Sequence, residues 1–194
     1  MAAKVYLFHI SYDGLEDRIW RTVAVSSNYR LDQLGYLVLA LFDTLAYHLF
    51  EFHIGSQHFT IPDEDFSTGA DMANFRLSQL ELKPGSRFRM DYDLGNTQTF
   101  WLELVEIQDM KQGQGKRYPY VLDGAGQGII DDLPCEELKA LIGQIDRNGR
   151  TDEPFYYGER RLPWDYRSFD LDILNFVLKA QVRRIEKDYA PFWE

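Results

Sequence analysis

The sequence predicts an α+β fold, with a mixed, largely antiparallel sheet that starts β-β-α, packs against helices and ends in a long C-terminal helix. Three observations predict it. Two strand-like segments open the chain and lead into a strongly periodic helix. Apolar segments separated by turn residues then recur, which is the signature of antiparallel hairpins. Two amphipathic stretches close the chain, so strands and helices are segregated rather than alternating.

Lys4 to Ser11 carries Val5 and Leu7 on one face and Tyr6, Phe8 and Ile10 on the other. A strand apolar on both faces belongs inside a sheet. Asp13-Gly14 is a turn signal, and Arg18 to Val25 is a second strand rich in β-branched and aromatic residues. A hairpin is the natural pairing of the two. On the second strand, alternation is read as sending Trp20 into the core and Arg21 to the surface.

Ser26-Ser27-Asn28 offers N-cap residues for the next element. Leu31, Leu34, Leu37, Val38, Leu41, Phe42 and Leu45 then trace one face of a helix. Burying such a stripe contributes roughly 1.5–3 kcal/mol per side chain, which makes this helix a main anchor.

His48 to Ile54 reads as a strand, Gly55-Ser56 as a turn and His58 to Ile61 as a return strand. Pro62 to Asn74 is an acidic loop, and Lys83-Pro84-Gly85 breaks the mixed pattern that follows it. Ser86 to Tyr92 and Thr99 to Ile107 are strands joined through Gly95-Asn96. Tyr118 to Gln127 reads as irregular. Asp131 or Asp132 is placed as the cap of a helix running to about Gln144, and Asp146 to Pro163 as a loop. A last helix spans about Ser168 to Tyr189, with acidic residues early and Arg183, Arg184 and Lys187 late, as the macrodipole favours. The expected organisation is one domain over 1–194, with 146–194 a C-terminal loop and helix packing on it.

Composition narrows the function. The 194 residues hold 21 Lys plus Arg against 31 Asp plus Glu, a net charge of −10. That balance opposes general binding to a phosphate backbone, which requires clustered cations. Basic spots remain at Lys116-Arg117, Arg160-Arg161 and Arg183-Arg184. Cys135 is the sole cysteine, which excludes an internal disulfide and a Cys-rich zinc site. It reads as a structural thiol. No apolar run reaches membrane-spanning length, and the opening residues carry no leader pattern, so the expected location is the cytoplasm.

Several blocks, in order, resemble one family. Val5-Tyr6-Leu7-Phe8, then Ile19-Trp20-Arg21 and Val25-Ser26, look like its opening hairpin. Leu31-Asp32-Gln33-Leu34 and His48-Leu49-Phe50-Glu51-Phe52 resemble its helix and following strand. Tyr92-Asp93-Leu94-Gly95-Asn96 resembles a Tyr-Asp-Phe-Gly-Asp signature, and Tyr118-Pro119 with Leu122-Asp123-Gly124 resembles a later segment. On these blocks the chain is similar to the plasmid pRiA4b ORF-3-like family over about residues 4 to 135. The resemblance implies the fold and a prokaryotic cytoplasmic setting, on plasmids, mobile elements or chromosomes, and no particular reaction.

The departures bear on chemistry. Gly35 stands where family members carry a His, and Leu39 or a neighbour where they carry a Gln. Asn96 replaces the last Asp of the signature, and Gln98 and Phe100 hold the places of a Trp and a His. Gly128-Ile129-Ile130-Asp131-Asp132 replaces a Cys-Pro-Pro-Glu-Asp segment, keeping the acidic pair.

Candidate chemistry is sparse. Asp91 and Asp93 alternate onto one strand face. Gly124-Ala125-Gly126-Gln127-Gly128 lacks the spacing and strand context of a phosphate loop. His53 and His58 can meet across their turn and, with Asp63 or Asp65, offer two imidazoles and a carboxylate. Polar edge residues of a hairpin explain them as well, and neither a metal nor a cofactor is expected. The binding candidates are Arg21, His48, Asp93, Asp123 and Asp132, with the His48 ring also able to bond a backbone carbonyl. The expected function is a non-catalytic binding or interaction module of unknown partner. The alternatives are a carboxylate-dependent hydrolase using Asp93, Asp123 and Asp132, or a nucleic-acid partner associated with mobile elements. The aromatic tail, Tyr189 to Glu194, is expected to fold back on the body, and otherwise to form a homo-oligomer or peptide contact.

Overall fold

The computed structural model of the chain describes residues 3–62, 68–150, 154–157 and 160–193. Strands β1 (Lys4–Tyr12), β2 (Trp20–Ser26), β3 (Phe50–Ile54), β4 (Gln57–Thr60), β5 (Ala70–Asp71), β6 (Arg87–Tyr92), β7 (Gln98–Asp109) and β8 (Tyr120–Ala125) form one sheet. Its order is β5-β4-β3-β6-β7-β1-β2-β8. Neighbours run antiparallel, except that β4 and β5 are parallel. β1 lies inside the sheet, as its two apolar faces require. Helices α1 (Leu31–Leu41), α2 (Cys135–Asn148) and α3 (Leu171–Tyr189) complete the α+β architecture, with a small hairpin of β9 (Pro154–Tyr157) and β10 (Arg160–Pro163). Among the described residues no helix is long and apolar enough to cross a membrane.

Register divides the sheet into two faces. Phe8, Ile10, Val23, Val25, Phe50, Phe52, Phe88, Met90, Phe100 and Leu102 point into the core and are buried. Glu51, His53, His58, Arg89, Asp91 and Trp101 line the opposite, partly open face. α1 lies across the core face, with Tyr36 edge-on to Phe50 at 5.8 Å and Phe42 on Phe100 at 4.8 Å. α3 packs beside α1, and Tyr189 reaches both Tyr36 and Phe50. One apolar cluster thus runs from Tyr6 to Tyr189.

α1 is not the one-sided helix its stripe predicts. Ten of its eleven residues are buried, because α3 covers the side away from the sheet. Its one buried charge, Asp32, takes two hydrogen bonds from Arg30, at 2.9 and 2.6 Å. The helix is capped by Gln33, whose side chain accepts from the Arg30 amide, and not by Ser26-Ser27-Asn28. Leu45 lies beyond its end and is exposed.

Gly35 has a packing role. A Cβ there would lie 2.5 Å from Cζ of Phe50, so the missing side chain is what lets β3 and α1 touch. Any larger side chain at this place would collide with that ring.

Other expectations need correction. Tyr118 to Gln127 is not irregular: β8 occupies Tyr120–Ala125 and feeds the glycine run directly. The helix after Asp132 starts at Cys135 with Pro134 as its cap residue, since Asp131 and Asp132 are engaged elsewhere. Within Asp146 to Pro163, expected to be a loop, α2 continues to Asn148 and β9 pairs with β10. Asp63 and Asp65, considered as ligands for the histidines, lie outside the described residues.

Candidate functional site

β1, β6 and β7 bring Tyr12, Tyr92 and Gln98 to one end of the sheet, where β2 and β3 begin. His48 precedes β3 at that end. Asp93 follows β6 there, and its amide donates to the Leu49 carbonyl at 3.0 Å. At Asp93 the strand leaves its alternation: φ is +57°, and Oδ1 accepts from the amides of Gly95 and Asn96, both at 3.2 Å. Asp is among the few residues that tolerate this conformation. The same turn separates Asp91 from Asp93. Asp91 stays on the open face, accepting from Thr99 Oγ1 at 2.7 Å, so the two carboxylates do not share a face as expected.

The segment after β8 crosses this end and delivers Asp131 and Asp132. His48 Nε2 lies 2.8 Å from Asp132 Oδ1 and 3.6 Å from Asp93 Oδ2. One ligand atom from each of His48, Asp93 and Asp132 lies within 4.8 Å of the others. These residues come from three separate blocks of the chain, His48 and Asp132 being 84 positions apart. His48 is partly exposed, Asp93 buried and Asp132 open to solvent, so the corner is reachable but supported from below.

The support is a shell of hydroxyls and amides. Tyr47 donates to Asp132, and Tyr92 donates to Asp131 at 2.8 Å. The Leu45 amide donates to Asp131 at 2.7 Å. Asn96 Nδ2 donates to the Asp132 carbonyl at 3.0 Å. Gln98 Nε2 ties the carbonyls of Asn96 and Leu133 together, both at 3.1 Å, and its own oxygen accepts from Tyr12. Tyr189 of α3 donates to the His48 carbonyl. The His48 ring itself therefore bonds a carboxylate, and the carbonyl contact belongs to its backbone.

The two adjacent acids are held differently. Burial pushes Asp131 up, against the amide of Leu45 and the Tyr92 hydroxyl. Hydrogen bonds from Tyr47 and His48 pull Asp132 below the usual carboxylate range. Burial and the nearby Asp131 keep the Tyr92 phenol protonated, well above its ordinary value. With one imidazole and two converging carboxylates, the corner has the donors to hold a cation.

Arg21 and Asp123 do not join this group. Arg21 is 1% exposed on the core face, while Trp20 is the half-exposed partner, lying against His9 at 5.3 Å. The expected arrangement is inverted because Arg21 shares parity with Val23 and Val25. Its Nη1 donates to the carbonyls of Trp20 at 2.8 Å and Ala125 at 2.5 Å, and Nη2 to that of Gln127 at 3.1 Å. The guanidinium also stacks 4.2 Å from the Phe169 ring centroid. Gly124, opposite Arg21 on β8, makes room: a Cβ there would lie 2.8 Å from Arg21 Cδ. The glycine-rich run thus accommodates a cation of the protein itself. Asp123 is exposed on β8 and accepts from the Gly124 amide at 2.8 Å.

Tyr47, Tyr92, Asn96, Gln98 and Asp131 were not among the candidates. The acidic pair and the Tyr92-Asp93 signature were the signals that point to them. Glu51 was also missed; period two along β3 puts it on the face of His53. Cys135 is a half-buried thiol, pushed up by burial and donating to the Asp13 carbonyl at 3.2 Å, in keeping with a structural role.

Comparison with known proteins agrees with the fold. The profile of the plasmid pRiA4b ORF-3-like protein family matches residues 4–175. An uncharacterized protein, y4hQ of Sinorhizobium fredii, is 27% identical over 135 residues, covering 69% of this chain and 68% of that protein. The crystal structure of MM3350, a protein of unknown function from Methanosarcina mazei Go1, superposes with a TM-score of 0.64. It is 23% identical, and the match covers 77% of this chain and 85% of that one.

Proposed function

The chain belongs to the plasmid pRiA4b ORF-3-like family, and from that membership and the corner above we propose that it is a non-catalytic binding module that takes a cation at His48, Asp93 and Asp132. One observation carries the reading: three blocks distant in sequence place an imidazole nitrogen and two carboxylates within 4.8 Å of one another. Carboxylates with a single imidazole favour a hard or borderline divalent ion such as Mn²⁺. Titration with Mn²⁺, followed by paramagnetic broadening of the His48 ring signals, tests it. Broadening at His48 that is lost in Asp132→Asn supports the reading. Unchanged His48 signals at millimolar Mn²⁺ refute it.

A carboxylate-dependent hydrolase is the second reading. It is favoured by the meeting of Asp93 and Asp132, and by the opposite shifts of Asp131 and Asp132 that acid–base chemistry uses. Asp123 has no part in it. Turnover of a phosphodiester or peptide substrate, abolished by Asp93→Ala, would establish it in place of the binding module.

The nucleic-acid reading rests on one groove, where Lys116, Lys179 and Arg183 lie with Tyr29 and Tyr118 around a cavity of about 590 Å³. Glu186 in the same wall works against it. Salt-dependent binding of single-stranded nucleic acid, weakened by Lys179→Glu, is its test.

A further inference from the structure

A second cluster lies away from the corner, on the open face of the sheet. The β3–β4 hairpin pairs His53 directly with His58. Their rings stack at 4.6 Å and 7°. Glu51, two residues before His53 on the same face, puts one carboxylate oxygen 2.8 Å from each Nε2. We propose that Glu51, His53 and His58 form a binding site for a late first-row transition metal, of which Zn²⁺ is the best fit.

The donor set selects the metal. Two imidazoles and one carboxylate suit Zn²⁺, Co²⁺, Ni²⁺ or Fe²⁺, whereas Mg²⁺ and Ca²⁺ prefer oxygen alone. The three ligand atoms already lie within 4.8 Å of one another. Tetrahedral bonds of about 2.1 Å to zinc space the ligands roughly 3.4 Å apart, so a change in side-chain torsions suffices and the strands need not move. Strand pairing holds the histidines in register, so little ordering remains for the ion to impose.

The surroundings fit an ion that enters from solvent. The histidines are about a third exposed, at 31% and 30%, and the Glu51 side chain is 18% exposed. Asp91 stands behind them, with Oδ2 3.4 Å from His53 Nε2. It is fixed by Thr99 at 2.7 Å and by Arg89 at 2.9 Å. Arg89 is the charge that opposes a metal here. Its pairing with Asp91 answers that charge and leaves Glu51 as the anion shared by the two imidazoles.

Zn²⁺ added to the full chain, with the ring signals of all four histidines followed by NMR, reads the site in the protein as it is. Shifts at His53 and His58 saturating at one equivalent and at micromolar Zn²⁺ are expected. Co²⁺ in its place should give visible absorption of a four- or five-coordinate ion. His58→Ala should weaken binding by at least about tenfold, and Glu51→Gln, which keeps the shape of the side chain, should also weaken it. His48→Ala, at the other cluster, should leave it unchanged. The proposal is overturned if His53 and His58 do not respond to Zn²⁺, if affinity survives both hairpin variants, or if it falls in His48→Ala alone. Because the Mn²⁺ experiment reads His48, failure at either site leaves the other standing.

Discussion

Asn175 on α3 occupies the free edge of β8 at Val121, acting as a replacement for a neighbouring strand. Its Oδ1 accepts from the Val121 amide at 2.9 Å and its Nδ2 donates to the Val121 carbonyl at 2.9 Å. An uncovered edge is a template for pairing with another chain. Asn175→Ala should cost about 1–3 kcal/mol in urea unfolding, since two backbone groups lose partners. It should also raise self-association, which light scattering against concentration would reveal. An unchanged midpoint and a monodisperse variant would show that the clamp is incidental.

Gly35→Ala sets two effects against each other. Alanine should gain about 1 kcal/mol from helix propensity. The clash with Phe50 should cost about 1–3 kcal/mol and shift the ring from its place. A net loss is expected, measured by denaturant midpoint. Pairing the change with Phe50→Leu should recover part of it, because the smaller side chain vacates the contested space.

Arg21→Ala removes a buried cation that ties three carbonyls and stacks on Phe169. A loss of about 3 kcal/mol or more is expected from chemical denaturation. Arg21→Lys should restore little, because an ammonium cannot spread its donors in a plane against an aromatic ring.

Asp43 governs a pH dependence. Burial raises its carboxyl to about 6, with Arg21 opposing the shift. The folded chain therefore holds this proton more tightly than the unfolded chain. The associated stability is present below about pH 4 and is lost as pH rises through 6, by up to about 3 kcal/mol. Asp43 adopts a φ of +56°, which Asn also tolerates. Asp43→Asn should flatten the difference in unfolding free energy between pH 4 and 7, measured against the native chain. Equal slopes in both would count against the assignment.

How much was legible depends on the range of the interaction. Apolar periodicity located β1, β2, α1, β6, β7 and α3, because each follows from nearest neighbours along one element. The inward turn of Arg21 was also legible through its parity with Val23 and Val25, but the expectation that charge stays outside overrode it. The role of Gly35 was not legible, since it exists only where Phe50 arrives from another element. The corner was half legible. His48, Asp93 and Asp132 were singled out by type, while their meeting depends on the +57° turn at Asp93 and on the path of the segment after β8. Glu51 was legible only through period two along β3, and its place against both rings depends on the β3–β4 register.

The hydroxyl of Tyr189 is fastened to the carbonyl of the residue that brings the imidazole, near the far end of the chain. α3 therefore helps to position the corner as well as to cover α1. Its final turn both fills the core against Tyr36 and Phe50 and steadies the backbone of His48. Tyr189→Phe, which keeps the ring and removes only that bond, is expected to loosen the seat of the imidazole and leave the packing intact.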